Sequence, residues 1–195
     1  VFMEIWHKMK IDKFNRSEAK NQKPCLIWFT GLPGSGKSTI GDKLEQKLTE
    51  FGKHTYLLDG DNLRNGLNKD LGFSNTDRYE NIRRVSEVGK LMVDAGLIVI
   101  ACFISPFKNE REKARKIFEP GEFYEIYLNT PLNVCEERDP KGLYKKARLG
   151  SLKNFTGIDS VYEKPTNPEL ELDTINHSPD ELVNQIISLL NISHE

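Results

Sequence analysis

Eight consecutive residues have the types and the spacing to hold a polyphosphate. Gly31-Leu32-Pro33-Gly34-Ser35-Gly36-Lys37-Ser38 fills every fixed position of the pattern G-x-x-x-x-G-K-[ST]. Glycines let the backbone close around anionic oxygens, and successive N–H groups with the N-terminus of a following helix then face the charge. Lys37 would reach the β- and γ-phosphates, and the Ser38 hydroxyl would hold magnesium. Thr39, the next residue, joins the expected ATP-binding set. The loop points to a nucleoside triphosphate and leaves open what receives the phosphoryl group.

Several further residues could serve the acceptor. Asp59 and Asp61 follow a strand-like run, where a phosphate-loop kinase needs an acid for the magnesium shell or for the proton of an attacking hydroxyl. Asp-Gly and Asp-Asn are also favoured turn pairs, but two acids beside a phosphate loop favour chemistry. Asp61 is the better candidate on the acceptor side. Arg64, Arg78, Arg83, Arg84 and Asn81 gather before and within the next helical stretch. Guanidinium groups grip phosphate or sulfate through paired hydrogen bonds. Arg78 and Asn81 share a helix face, as do Asn81 and Arg84, whereas Arg83 points elsewhere. Phe73 and Phe155 lie in polar loops; two such rings can stack a purine, though anchoring each loop to the core is the simpler reading. Ser105 ends an apolar run before Pro106 and is expected to stand exposed. It could accept a phosphoryl group, bond a substrate, or simply end a strand. Arg138, Lys141, Lys145, Lys146 and Arg148 suit a basic lid closing over triphosphate and excluding water. Histidines 7, 54, 177 and 194 fall outside these clusters.

The elements that must position these residues alternate. Strands are expected at 25–30, 55–58, 97–103, 123–128 and 170–174. Ile40, Leu44, Leu48 and Phe51 recur at helical spacing, with Gly52 as the stop. Further helices are expected over 77–95, with Ile82, Val85, Val88 and Met92 as its apolar face, and over 108–118, 132–137 and 179–190. The stretch 139–168 is basic and lacks clear periodicity. Alternating strand and helix predicts an α/β fold, a three-layer doubly wound parallel sheet of P-loop kinase type with a basic lid. In such sheets ligands lie beyond the carboxyl ends of the strands. That places the phosphate loop, Asp59-Gly60-Asp61, Ile104-Ser105-Pro106 and Asn129-Thr130-Pro131 on one rim.

The whole chain fits one domain of 24–195, preceded by a polar extension of 1–23 with some helix expected over 3–14. Its 28 basic and 29 acidic residues give a formal charge of −1, so no global field points to nucleic acid or membrane. The longest apolar run, 97–104, is too short to cross a bilayer. Cysteines 25, 102 and 135 imply neither a disulfide framework nor a zinc site, and a reducing cytoplasm follows as the expected compartment.

Taken together, several stretches resemble the adenylyl-sulfate kinase (APS kinase) family. They are the loop 31–38, Leu58-Asp59-Gly60-Asp61-Asn62-Leu63-Arg64, Leu71-Gly72-Phe73-Ser74 and Asp77-Arg78-Tyr79-Glu80-Asn81-Ile82-Arg83-Arg84. Phe103-Ile104-Ser105-Pro106-Phe107, the run 135–148 and Phe155-Thr156-Gly157-Ile158-Asp159-Ser160-Val161-Tyr162-Glu163 complete the match. The resemblance implies transfer of the ATP γ-phosphoryl group to the 3′-hydroxyl of adenosine 5′-phosphosulfate. By that similarity Phe73 and Phe155 would sandwich the acceptor adenine. Arg64, Arg78 and Asn81 would hold its phosphosulfate, and Ile104 and Ser105 would line the pocket with Lys141 and Leu143. Asp61 would approach the 3′-hydroxyl as base or orienter, and Asp59 would lie near the metal. Family descriptions often mark the serine matching Ser105 as a phosphoserine intermediate, yet in-line transfer to a bound hydroxyl needs no covalent relay. Family members are commonly homodimers. Pro33, Asn75 and Val161 stand where Ser, an acid and Pro are usual, and Pro33 removes one loop N–H.

Two other functions share parts of this pattern. A kinase of another small alcohol, such as gluconate, would use the same phosphate loop without needing the Phe73/Phe155 and Arg78/Asn81 set. A non-catalytic sulfonucleotide-binding regulator would be expected to lose Lys37 or Asp61, and both are present. A guanine switch would need Asn-Lys-x-Asp, which does not occur. Nothing resembling a fused sulfurylase domain occurs either, so a stand-alone kinase is expected.

Overall fold

A computed structural model describes residues 9–192. Its core is five strands: β1 (Cys25–Thr30), β2 (Thr55–Asp59), β3 (Ile98–Cys102), β4 (Phe123–Leu128) and β5 (Leu170–Leu172). They lie in the order β2-β3-β1-β4-β5, and every neighbouring pair is parallel. β1 therefore sits centrally, its Leu26 level with Val99 of β3 and Phe123 of β4. All six residues of β1 and all five of β3 are buried, as expected for parallel strands covered on both faces.

The period-2 alternation of the strands sends their side chains to two separate cores. Ile27, Phe29, Ile100 and Ile126 pack on one face with Leu44 and Leu48 of α2 (Lys37–Glu50) and Leu182 and Ile186 of α8 (Pro179–Leu190). Leu26, Trp28, Val99 and Ala101 pack on the other with Ile82, Val85 and Val93 of α4 (Asn75–Asp94) and Ala114 of α5 (Lys108–Lys116). The expected doubly wound, three-layer α/β sheet is what forms. Gly52 and Gly96 take positive φ directly after α2 and α4, the left-handed geometry that ends a helix.

Three short helices depart from the sequence expectation. The helix expected over 3–14 lies partly outside the described residues, and His7 and His194 lie wholly outside them. Within them α1 runs Lys13–Glu18, because Asp12 and Asn15 form a reciprocal capping box that fixes the start at 13. α3 (Gly60–Arg64) turns what reads as an Asp-rich turn into helix, capped by the Asp59 carboxylate on the Asp61 and Asn62 amides. α7 (Leu143–Arg148) lies inside the segment expected to be irregular, after α6 (Leu132–Arg138). Six residues are too few to display a helical period. α7 instead contributes Tyr144 and Ala147 to a small separate core with Cys135 and Phe155.

Residues 12–22 cross the floor of the sheet, at the amino ends of the strands. Arg16 pairs with the Asp94 carboxylate at 2.6 Å, and Lys13 pairs with Glu119 at 2.8 Å and with Glu122. The Gln22 amide donates to the carbonyls of His54 (2.9 Å) and Gly96 (2.7 Å) and accepts from the His54 N–H (2.8 Å). Those groups immediately precede β2 and β3.

Candidate active site

The phosphate loop joins β1 to α2, and its glycines are required by geometry. Gly34 and Gly36 have φ of +74° and +102°, and a Cβ on Gly34 would meet the Cys135 carbonyl oxygen at 3.0 Å. Pro33, which gives up an N–H, turns its carbonyl to the Tyr144 hydroxyl at 2.9 Å. The lid is thus fastened to the loop. Lys37 is buried, with Nζ donating to the Gly31 and Leu32 carbonyls (2.8 and 2.7 Å) and to the Ser35 hydroxyl (3.2 Å). Burial pulls its pKa down to about 8, against the opposing pull of Cys102, Cys135, Asp59 and Asp61. A polyphosphate would supply the missing countercharge. Arg138 reaches the same loop, donating to the Ser35 carbonyl at 3.4 Å and to the Thr174 carbonyl at 3.1 Å.

Ser38 Oγ donates to Asp59 Oδ2 at 2.7 Å, so the two residues expected at the metal are together. The other Asp59 oxygen accepts from the Asp61 amide at 2.9 Å, which fixes the carboxylate. Among the described residues no cluster of three or more His, Cys, Asp or Glu could hold a metal alone. A hydroxyl beside a carboxylate nevertheless fits magnesium, a hard ion that takes most of its ligands from phosphate and water. Asp61 faces the lid and forms an ion pair with Lys141.

Arg64 donates to the Leu71 and Gly72 carbonyls (3.1 and 3.0 Å) and lies 4.3 Å from the Phe73 ring centroid. Phe73 is exposed, whereas Phe155 is buried edge-on against Tyr144 at 4.9 Å. Phe155 packs within the lid's own core, with Leu143 at its edge. Arg78 connects the two loops. Its Nε donates to the Phe73 carbonyl at 3.2 Å, and its terminal nitrogens to Thr156 Oγ1 at 2.8 Å and to the Asn154 carbonyl. Asn81 is buried on the same helix face, and its Oδ1 accepts from Asn68. The sequence also put Arg84 on an anion-facing surface. The structure corrects this: Asp70 takes it bidentately at 2.7 and 2.8 Å, and Glu80 at 2.8 Å.

Ser105 requires a second correction. It was expected to be exposed and is 2% exposed. β3 stops at Cys102, and the chain turns inward with Ser105 at φ +39°, so its Oγ accepts from the Trp28 indole N–H at 3.0 Å. Ile104, half-buried, stays at the rim. In the lid, Arg148 does not face the loop; it pairs with Glu136 at 2.5 Å because the two project from adjacent short helices. Lys145 contributes its backbone amide to Asp139 at 3.0 Å.

Arg111, on α5, belongs to none of the motifs that the sequence singles out. It is 2% exposed and forks three ways: to Glu125 Oε1 (2.7 Å), the Ser105 carbonyl (2.6 Å) and the Glu163 carbonyl (2.6 Å). It ties β4, the Ser105 turn and the end of the lid together. The signal that could have found it is Glu125, a lone acid in the middle of an apolar strand.

A parallel sheet carrying this loop, with acids at the carboxyl end of β2 and a basic lid, defines a P-loop kinase. The family model for adenylylsulphate kinase matches residues 23–173, and the chain belongs to that family. An adenylyl-sulfate kinase of Marinobacter nauticus is 60% identical over 186 residues, 95% of this chain and 94% of that one. The bifunctional enzyme NodQ of Rhizobium meliloti is 60% identical over 91% of this chain, which spans 28% of that protein. The APS kinase of Mycobacterium tuberculosis, solved in complex with AMPPNP and APS, superposes with a TM-score of 0.84 at 50% identity, covering 87% of this chain and 99% of that one.

Proposed function

We propose that the protein transfers the γ-phosphoryl group of ATP to the 3′-hydroxyl of adenosine 5′-phosphosulfate, giving ADP and 3′-phosphoadenosine 5′-phosphosulfate. One observation carries the residue assignment: Ser38, Asp59 and Asp61 are linked in series from the phosphate loop to the lid. The donor half of the site and the acid that would meet the acceptor are thereby held in one frame.

In this reading the loop amides and Lys37 take the β- and γ-phosphates, and Arg138 adds charge from the lid side. Ser38 and Asp59 would hold magnesium, which when bound supplies charge neutralisation on the phosphate oxygens. Asp61 leaves Lys141 to orient the 3′-hydroxyl. As the new O–P bond forms and the β–γ bridging bond breaks, the hydroxyl proton passes to the Asp61 carboxylate. Arg64, Arg78 and Asn81 hold the acceptor's phosphosulfate, and Phe73 and Phe155 border its purine. The deep burial of Ser105 supports direct transfer without a phosphoserine. A homodimer is the assembly carried with this reading. Three buried, unpaired thiols support a reducing cytoplasm, and no helix among the described residues is long and apolar enough to cross a membrane.

ADP release measured with adenosine 5′-phosphosulfate, AMP, gluconate and no acceptor is expected to show turnover only with the first. Turnover with gluconate, or with none of them, sinks the reading. In the same assay Asp61→Asn is expected to lower kcat at least roughly 100-fold with ATP affinity retained, and an unchanged kcat refutes the role given to Asp61.

A further inference from the structure

Asn68 lies in the turn after α3, in no motif that the chemistry above uses. It is fully buried, with an exposure of 0%, and its Nδ2 donates to Asn81 Oδ1 at 2.9 Å. Its own Oδ1 is buried with no hydrogen-bond partner among the described residues. A fully buried amide left half-satisfied costs stability, so its persistence calls for a reason.

The reason lies in the two ends of the Asn81 side chain. A primary amide presents an acceptor at one end and two donors at the other, and rotating it by half a turn exchanges them. Asn81 lies one turn along α4 from Arg78, on the same face. Only its NH2 end can serve an oxyanion; its oxygen would repel one. Because Asn68 donates to Asn81 Oδ1, that oxygen is held inward, and Asn81 Nδ2 has no protein acceptor among the described residues. The backbone fixes Asn68 in turn: its N–H donates to the Leu63 carbonyl at 2.9 Å, and its carbonyl accepts from the Leu71 N–H at 3.1 Å.

We propose that Asn68 is a positioning residue that sets the amide orientation of Asn81 and so aims two N–H donors at the anionic group of the acceptor nucleotide. The inference rests on the acceptor-binding reading of Asn81 given above and extends it to a residue outside the site.

Asn68→Asp tests it, since a carboxylate can only accept and would draw the Asn81 NH2 inward. Its KM for adenosine 5′-phosphosulfate is expected to rise roughly 10- to 100-fold, with KM for ATP and kcat within about threefold of the parent. Asn68→Leu removes both the donor and the orphaned oxygen. It is expected to fold at least as well as the parent and to raise the acceptor KM less than Asn68→Asp does. In an Asn81→Ala background, either substitution should add less than about twofold. Equal losses in acceptor KM, ATP KM and kcat, or additive effects with Asn81→Ala, overturn the inference and leave the reading of Asn81 standing. An acceptor KM unchanged by Asn81→Ala alone refutes that reading, and the inference falls with it.

Discussion

The Ser105 hydroxyl faces a tryptophan. Its Oγ takes the buried Trp28 N–H, and its backbone carbonyl is held by Arg111. Ser105→Ala should therefore behave as a loss of structure more than of chemistry. Orphaning a buried indole N–H is expected to cost about 1–3 kcal/mol in urea unfolding, with kcat within about twofold of the parent. Loss of all turnover with both substrates still bound would instead support a phosphoserine relay. Lys37, Ser38, Asp59 and Asp61 were legible in the sequence because the chemistry of phosphate demands those types at that spacing. Ser105's burial was not: the chain beyond β3 could turn outward or inward, and the partners that decide, Trp28 and Arg111, are distant in sequence. Asn68 carried no sequence signal at all, since a single asparagine in a turn is ordinary.

At the scale of elements, α5 joins the acceptor rim to the sheet and carries an unusual acid. Glu110 is 2% exposed, and both its carboxylate oxygens lack hydrogen-bond partners among the described residues. Burial pushes its pKa up to about 7, with Glu163 adding to the rise while Arg111, Arg78 and the nearby Phe107 amide pull it down. The folded state thus holds this proton more tightly than the unfolded chain, whose ordinary value is 4.5. Stability from the group is fully present below about 4.5 and is lost as pH rises through about 7. Glu110→Gln should match the parent near the acid end of that window and exceed it by about 1–3 kcal/mol above its upper end. Denaturant melts across the window check this; a constant difference at every pH would refute it. The charged run closed by Pro120-Gly121 places a helix over 108–118, but it carries no sign of which residues turn inward. In fact α5 presents Glu110, Arg111 and Ala114 inward. α7 escaped notice because Leu143, Tyr144 and Ala147 serve a satellite core too small to impose a long period.

At the scale of the molecule, alternation of apolar runs and helices determined the sheet. Five parallel strands appear where the apolar runs stand; β1, β3 and β4, covered on both faces, leave the clearest signature, while β2 and β5 at the edges are only partly buried. What the pattern could not convey is the path of residues 12–22, whose ties are polar and tertiary. Gln22→Ala removes three hydrogen bonds from the floor. It is expected to lower stability by about 1–2 kcal/mol while leaving KM for both substrates unchanged, because the site lies at the opposite ends of the same strands. Thermal melts beside steady-state kinetics test this, and a shift in either KM would show that floor and rim are coupled.

That separation has a consequence for how such a unit is built into larger chains. Residues 12–22 run along the underside of the sheet, fastened by Lys13, Arg16 and Gln22 before the chain reaches β1. The lid and phosphate loop open in the other direction, so a neighbour grafted there meets neither nucleotide nor acceptor. The face that carries the phosphate loop and lid is left clear of a neighbour joined at the floor.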